Sequence, residues 1–131
     1  MLSEKITYPF GKPPEGEDVL WRCEARSYAV CIDPELERYG STPLRLEMYW
    51  FPVRKRTPKG AWIPGPWCGK RFVRLGETRK KYACNTEAEA LESYIARKSR
   101  QISILSNRLK DAELGHSMAQ NALNELSEAR N

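Results

Sequence analysis

The sequence predicts an α+β protein in which a small antiparallel β-sheet is followed by a long C-terminal helix. Before residue 86, segments of the chain alternate apolar and polar residues, which is the period of a strand with one buried face. From Thr86 to Arg130 the chain contains no proline and one glycine, which favours a helix. We therefore divide the chain into a flexible leader over 1–18, a β domain over 19–85 and a helix over 86–130.

The leader is rich in proline, glycine and acidic residues. Two strands are predicted after it. The segment "DVLWRCEARSYAVCID", 18–33, alternates at first and should end at Asp33-Pro34. The segment "LRLEMYWFPVRK", 44–55, favours a strand, and Pro52 confines its end to an edge or a bulge. Around Gly76-Glu77 we expect two short strands or one bulged strand, which gives an antiparallel sheet of three to five strands.

Between these strands, the segment "TPKGAWIPGPWCGK", 57–70, contains six proline and glycine residues. Proline has no amide hydrogen to donate to a neighbouring strand, so it is confined to strand edges and ends. We therefore expect a structured loop or a broken strand here, and no regular central strand.

The helix should start at "TEAE", Thr86–Glu89, which has the spacing of a capping box. Alternating steps of four and three residues from Leu91 select eleven positions, of which nine are apolar, without a change of phase. Five such heptads predict a coiled coil, and isoleucine at a with leucine at d favours a parallel homodimer. The predicted dimer seam comprises Leu91, Ile95, Ile102, Leu105, Leu109, Leu123 and Leu126.

An alternative is a helical hairpin that is broken near Gly115. Gly115 could end a first helix, and "SMAQ", Ser117–Gln120, has the spacing of a second capping box. Several apolar residues also lie off the seam and need a second surface, either the sheet or another helix: Tyr94, Ile104, Leu114 and Met118. The constant heptad phase favours one continuous helix.

Positive charge is concentrated in the middle of the chain. Residues 1–49 carry 6 basic and 9 acidic side chains, residues 50–82 carry 10 and 1, and residues 83–131 carry 6 and 7. A positive field of this kind favours an anionic partner. The candidate binding residues are Arg54, Lys55, Arg56, Lys59, Lys70, Arg71, Arg74, Arg79, Lys80 and Lys81.

The segment Trp50–Phe72 also interleaves aromatic residues with these basic ones. Proteins bind nucleic acids with basic side chains on the phosphates and aromatic rings on the bases. Trp and Arg are also common anchors of protein interfaces. A third reading is that the tryptophans fill the core and the basic residues form a solvated edge. We expect Trp50, Trp62 and Trp67 to be partly buried and to stabilise the fold, and the basic side chains to be exposed for a partner.

No metal, cofactor or catalytic site is predicted. The cysteines, at positions 23, 31, 68 and 84, lack CxxC spacing, and His116 is the only histidine, so we expect reduced and mostly buried thiols. The chain has no P-loop, GxGxxG or nucleophile elbow. It also lacks an apolar signal core and any apolar run of about 18 residues, which predicts a cytoplasmic protein without a membrane span.

The segment Arg79–Leu109, about a quarter of the chain, resembles the C-terminal part of small accessory proteins of tailed bacteriophages. Those proteins share the pattern T-x-x-E-A-L-x-x-(F/Y)-I-x-R-K-x-R-Q. It is matched here by Thr86, Glu89, Ala90, Leu91, Tyr94, Ile95, Arg97, Lys98, Arg100 and Gln101. The resemblance implies a phage protein in the bacterial cytoplasm that binds a host machine or a defence complex, as anti-CRISPR proteins do.

The sequence thus leads us to expect a non-catalytic phage protein that inhibits or modulates a host protein or nucleoprotein complex through its basic aromatic surface. Direct binding of DNA or RNA is the alternative. Direct binding requires affinity for the naked nucleic acid that falls steeply with salt concentration, so the two functions can be separated by experiment.

Overall fold

The α+β architecture is confirmed in the computed structural model, which describes residues 6–76 and 81–130. One long helix follows eight described strands. The strands are β1 (Ile6–Thr7), β2 (Val19–Arg26), β3 (Ala29–Asp33), β4 (Arg38–Ser41), β5 (Arg45–Pro52), β6 (Lys55–Thr57), β7 (Gly60–Pro64) and β8 (Lys70–Arg74), and the helix is α1 (Glu87–Arg130). By its contacts the chain forms two compact units, Met1–Tyr94 and Ile95–Asn131.

The described strands form three small sheets, where the sequence predicted one. The first has the order β1-β5-β2, and β2 and β5 are antiparallel from Val19 opposite Pro52 to Arg26 opposite Arg45. Strand β1 is parallel to β5. Part of the expected flexible leader therefore lies in a sheet, because residues 6 and 7 pair with the edge of β5 that β2 leaves open.

The second sheet is the hairpin of β3 and β4. It continues the line of β2 and β5, because the amide of Thr42 donates a hydrogen bond of 2.8 Å to the carbonyl of Tyr28. Nearly all of its side chains are exposed, including those of Ile32 and Tyr39. The ending of the first predicted strand at Asp33-Pro34 agrees with the structure.

The third sheet has the order β6-β7-β8, so β7 is a central strand within the segment 57–70, where no regular central strand was expected. That expectation was wrong because the prolines lie outside the hydrogen-bonded middle of β7: Pro58 is in the preceding turn and Pro64 is the last residue. Gly60 has a packing role, since a Cβ atom there would lie 2.0 Å from the carbonyl oxygen of Val73.

The core consists of two clusters of buried side chains. In the first, Leu20 packs with Ile63 and Val73, which joins the first sheet to the third. In the second, Cys23 and Met48 pack with Ala90 from the first turn of α1. Leu91 and Tyr94 also pack against the second cluster. Leu91 was assigned to the dimer seam, but its side chain belongs to the core of the β domain, which also gives the off-seam Tyr94 its second surface.

Helix α1 begins as its cap predicts. The Thr86 hydroxyl accepts a hydrogen bond of 3.1 Å from the amide of Glu89, and Glu87 and Glu89 lie in the positive first turn. The helix is continuous through Gly115, so the hairpin is not formed. The seam side chains beyond the β domain are exposed, with exposed fractions between 51% at Leu105 and 65% at Leu126. Within the described parts of the chain, no helix has the length and apolarity needed to cross a membrane.

Candidate functional site

The pairing of the third sheet separates its side chains into two faces. Ala61, Ile63 and Val73 point into the core. Since successive residues of a strand point to opposite faces, Trp62 and Phe72 lie on the outer face. These two residues are opposite each other in the β7–β8 register, and their ring centroids are 5.2 Å apart. Both rings are half-buried, so the outer face presents an aromatic pair with part of its surface open to solvent.

Basic side chains surround this pair. Lys55 is opposite Trp62 in the β6–β7 register, and the outer-face residues of β8 next to Phe72 are Lys70 and Arg74. Arg54 and Lys59 border the same surface. We call this surface the basic aromatic face and define it by Arg54, Lys55, Lys59, Trp62, Lys70, Phe72 and Arg74. The five basic side chains are all exposed.

Three open hollows lie in the basic aromatic face and along its border. One of about 370 Å³ is lined by Trp62, Phe72 and the β6–β7 turn, and one of about 540 Å³ by Arg54, Lys55, Trp62 and Lys70. A third of about 300 Å³ includes Lys59 and Arg74. The described residues that line these hollows include no aspartate or glutamate, so the surface suits an anionic group beside a planar apolar one.

Arg56 lies on the other face of the sheet and is engaged within the protein. Its Nε and Nη2 atoms donate to the two carboxylate oxygens of Asp18 at 2.5 and 2.6 Å, and Nη1 donates to Asn85 Oδ1 at 2.9 Å. The hydrogen bonds from Arg56 lower the pKa of Asp18 and, in return, Asp18 raises the pKa of Arg56. Arg56 was predicted to bind a partner. In the structure it links β6 to Asp18, which precedes β2, and to Asn85, which lies shortly before α1.

Arg71 is also engaged within the protein, but through an aromatic ring. It is opposite the core residue Ile63, and its guanidinium carbon lies 3.5 Å from the centroid of the Tyr82 ring. Arg22 also contacts Tyr82, with a guanidinium-to-centroid distance of 4.4 Å and a hydrogen bond of 2.6 Å to the Tyr82 carbonyl. Arg71 was another predicted partner residue, and its cation–π contact gives it a role in the fold.

The remaining predicted basic residues divide as follows. Lys81 is half-buried, next to the core residues of 82–84. Arg79 and Lys80 lie outside the described residues. Of the ten candidates, the structure therefore brings five together on one face, where their side chains have no carboxylate among the described lining residues.

The three tryptophans of the basic segment have different environments. Trp50 is half-buried and its indole nitrogen donates to the carbonyl of Gly11 at 3.1 Å, and Trp62 is half-buried on the basic aromatic face. Trp67 is 98% exposed, so the prediction that it is partly buried was wrong. The reason is its position in the β7–β8 loop, where none of the described elements covers its ring.

A buried carboxylate was not anticipated from the sequence. Glu47, in the middle of β5, is 4% exposed and accepts hydrogen bonds from the hydroxyls of Tyr28 and Tyr49. Burial acts to raise the pKa of Glu47, but the two tyrosine hydroxyls together with Arg26 and Arg45 outweigh it, so that the pKa lies below its ordinary value. The cluster holds a charged group in the sheet and attaches the base of the β3–β4 hairpin to β5.

The cysteines are less buried than expected. Cys23 and Cys84 are buried, whereas Cys31 and Cys68 are exposed. Among residues 6–76 and 81–130, no group of three or more His, Cys, Asp or Glu side chains is placed to hold a metal ion.

The division of the basic residues between two faces was missed because it depends on the register of β7. Once β7 is known to be a strand, the alternation of Lys70, Phe72 and Arg74 with Arg71 and Val73 separates the outward from the inward side chains. Read as a loop, the segment gave no basis for this division. The exposure of Trp67 could have been suspected from "GPWCG", 65–69, where flanking glycines and a proline are typical of a tight turn.

Comparisons of this chain with protein-family models, with curated proteins and with solved structures found no match.

Proposed function

We propose that this chain is a non-catalytic phage protein that binds an anionic surface of a bacterial host protein or nucleoprotein complex, and so inhibits or modulates it. The binding site is the basic aromatic face. The observation that carries the proposal is the placement of five exposed basic side chains around the Trp62–Phe72 pair, on a sheet whose other face is anchored in the core.

The positive charge of the basic aromatic face supports binding of an anionic partner. Its attachment to the core supports binding without a large loss of conformational entropy. Positive charge speeds the encounter with an anionic surface, and an aromatic pair supplies apolar area for the bound state. Because β7 and β8 are fixed by buried Ala61, Ile63 and Val73, the face needs little ordering when the partner binds. The phage origin and the host target of the proposal rest on the resemblance of residues 79–109 described above.

The same proposal includes a homodimer formed through α1. Ile102, Leu105 and Leu109 are 63%, 51% and 59% exposed and recur at the heptad spacing. An isolated amphipathic helix gains most of its stability from packing of its apolar face, and a second copy offers an identical seam in register. A parallel dimer would carry two basic aromatic faces and would gain affinity for a target with repeated anionic sites.

The proposal is tested by capture from bacterial lysate with and without nuclease treatment. The double variant Lys55→Glu/Lys70→Glu reverses two charges of the face, and its control, Arg100→Glu/Lys110→Glu, makes the same change of net charge at exposed helix positions. We expect the wild type and the control to retain the same stoichiometric partner, identified by mass spectrometry, and the face variant to lose it. Equal retention by both variants would contradict the proposal.

A further inference from the structure

The loop between β7 and β8 holds a tryptophan in an exposed and strained position. Trp67 has φ 60° and ψ 41°, and the next residue, Cys68, has φ 61°. Left-handed backbone is uncommon for residues other than glycine, and strained positions of this kind cluster at functional sites. Trp67 is also 98% exposed, so its ring gives nothing to the core that would offset the strain.

The rest of the loop is built to keep this conformation. The amide of Gly65 donates to the carbonyl of Gly69 at 2.7 Å, and the amide of Gly69 donates to the carbonyl of Pro66 at 3.1 Å. A Cβ atom on Gly65 would lie 3.0 Å from the carbonyl carbon of Lys70, so a glycine lets the two sides of the loop approach this closely. The two hydrogen bonds close the loop and present the Trp67 ring at its tip.

The charge of the segment around the loop indicates which class of ligand the Trp67 ring binds. Residues 50–76 contain seven basic and no acidic side chains. Lys70 lies three residues beyond Trp67 and lines a hollow together with Arg54, Lys55 and Trp62. An exposed ring within a segment that is basic and free of acidic residues matches a ligand in which planar apolar groups alternate with anions, and single-stranded nucleic acid has this arrangement at every nucleotide. In a duplex the bases are already stacked and would not be available to the ring.

We infer that single-stranded nucleic acid binds the basic aromatic face, with an unpaired base stacked on Trp67 and the flanking phosphates bound by Lys70, Lys55 and Arg54. This inference rests on the proposed function and names the chemical class of ligand for the same site. In a host complex the ligand would be an exposed single strand of DNA or RNA. Stacking gives little preference among bases, so binding should depend weakly on sequence.

The test is a fluorescence anisotropy titration of labelled oligothymidylate and oligouridylate of about 12 nucleotides, a length within the range that such sites cover. The full-length wild type is compared with Trp67→Ala, Trp67→Phe, Lys70→Gln and Arg71→Gln over a series of salt concentrations. Arg71→Gln is the matched control for charge, because Arg71 lies on the opposite face of the sheet.

Each substitution has its own expected signature. Trp67→Ala should weaken binding about 5- to 150-fold without changing the salt dependence, because it removes stacking but no charge. The affinity of Trp67→Phe for the oligonucleotides should lie between that of Trp67→Ala and that of the wild type. Lys70→Gln should reduce the slope of log K against log salt by about 0.7, and Arg71→Gln should leave the slope unchanged. Trp67→Ala should retain the wild-type circular dichroism spectrum, since its ring contributes no buried area.

Quenching of tryptophan emission by the oligomers provides a second measurement, and Trp67→Phe should lose a large part of it. The inference is overturned if the wild type binds neither oligomer at low salt, if Trp67→Ala binds as tightly as the wild type, or if a duplex of the same sequence binds more tightly than the single strand. A nuclease-resistant partner captured by the wild type but not by Lys55→Glu/Lys70→Glu would then leave the proposed function standing with a protein as the ligand.

Discussion

Asp18 and Arg56 form an ion pair with two hydrogen bonds, in which Arg56 Nε lies 2.5 Å from Asp18 Oδ2 and Nη2 lies 2.6 Å from Oδ1. The pair attaches β6 to the residue that precedes β2. Lys55, the residue before Arg56, points to the opposite face and lines the hollow beside Trp62. Two neighbouring basic residues of one strand therefore have different roles, one in the fold and one in the candidate site.

We therefore expect charge reversal at these two positions to have different effects on stability. Arg56→Glu removes the pair and places a like charge beside Asp18, which should lower the free energy of unfolding by about 1 to 2 kcal/mol. Lys55→Glu should change it by less than about 0.5 kcal/mol. Urea unfolding followed by circular dichroism measures both. Equal stabilities of the two variants would mean that the Asp18–Arg56 pair contributes nothing to the fold.

The cluster of Glu47, Tyr28 and Tyr49 predicts a loss of stability in acid. The pKa of Glu47 in the folded protein is below its ordinary value of 4.5. Its contribution is therefore fully present above about pH 5 and is lost as the pH falls through the lower folded pKa. Glu47→Gln should lower the free energy of unfolding by about 1 to 3 kcal/mol at pH 7.

The pH dependence distinguishes this charge effect from a packing effect. Between pH 6 and pH 3 the unfolding free energy of Glu47→Gln should fall less steeply than that of the wild type, because the variant has no carboxylate to protonate. Glu35→Gln, at an exposed turn position, serves as the control and should follow the wild type. Parallel pH profiles for wild type and Glu47→Gln would show that the carboxylate is not held ionised by the tyrosines.

The contrast between α1 and β7 shows which parts of the fold could be predicted from the sequence. The helix has a local cap at Thr86 and a long regular period, and both signals lie within the segment itself. Strand β7 is fixed by its neighbours: Ala61 and Ile63 are buried by side chains from β2 and β8, and this tertiary contact outweighs the local proline and glycine content.

The candidate site could be predicted in composition but not in arrangement. Counting charges located the basic residues, and five of them share one face. The engagement of Arg56 by Asp18 and of Arg71 by Tyr82 could not be predicted, because those partners are distant in sequence and are brought close only by the pairing of the strands. The exposure of Trp67 is different, because the loop that presents it closes through local hydrogen bonds within residues 65–69.

The proposed homodimer predicts a concentration-dependent helix signal. Leu105→Asp places a charge in the seam and should convert the dimer to monomers, because an unpaired charge buried at a d position costs several kcal/mol. Sedimentation equilibrium and the circular dichroism signal at 222 nm should both show the change. Asn107→Asp, an exposed position off the seam, is the control and should remain dimeric. A wild type that is monomeric at tens of micromolar would contradict the dimer.

Gly115 provides a test of the continuous helix. In α1 its backbone is helical, and a Cβ atom there would meet nothing within 4 Å. Alanine is favoured over glycine within a helix by about 1 kcal/mol, because glycine loses more conformational freedom on folding. Gly115→Ala should therefore raise both the helix signal and the midpoint of thermal unfolding. In a hairpin, Gly115 would end the first helix in a left-handed conformation, and alanine there would be destabilising. Whether Gly115→Ala raises or lowers the thermal midpoint, measured by circular dichroism, thus distinguishes the continuous helix from the hairpin. For comparison, Gly60→Ala should be strongly destabilising, since its new methyl group would lie 2.0 Å from the carbonyl oxygen of Val73.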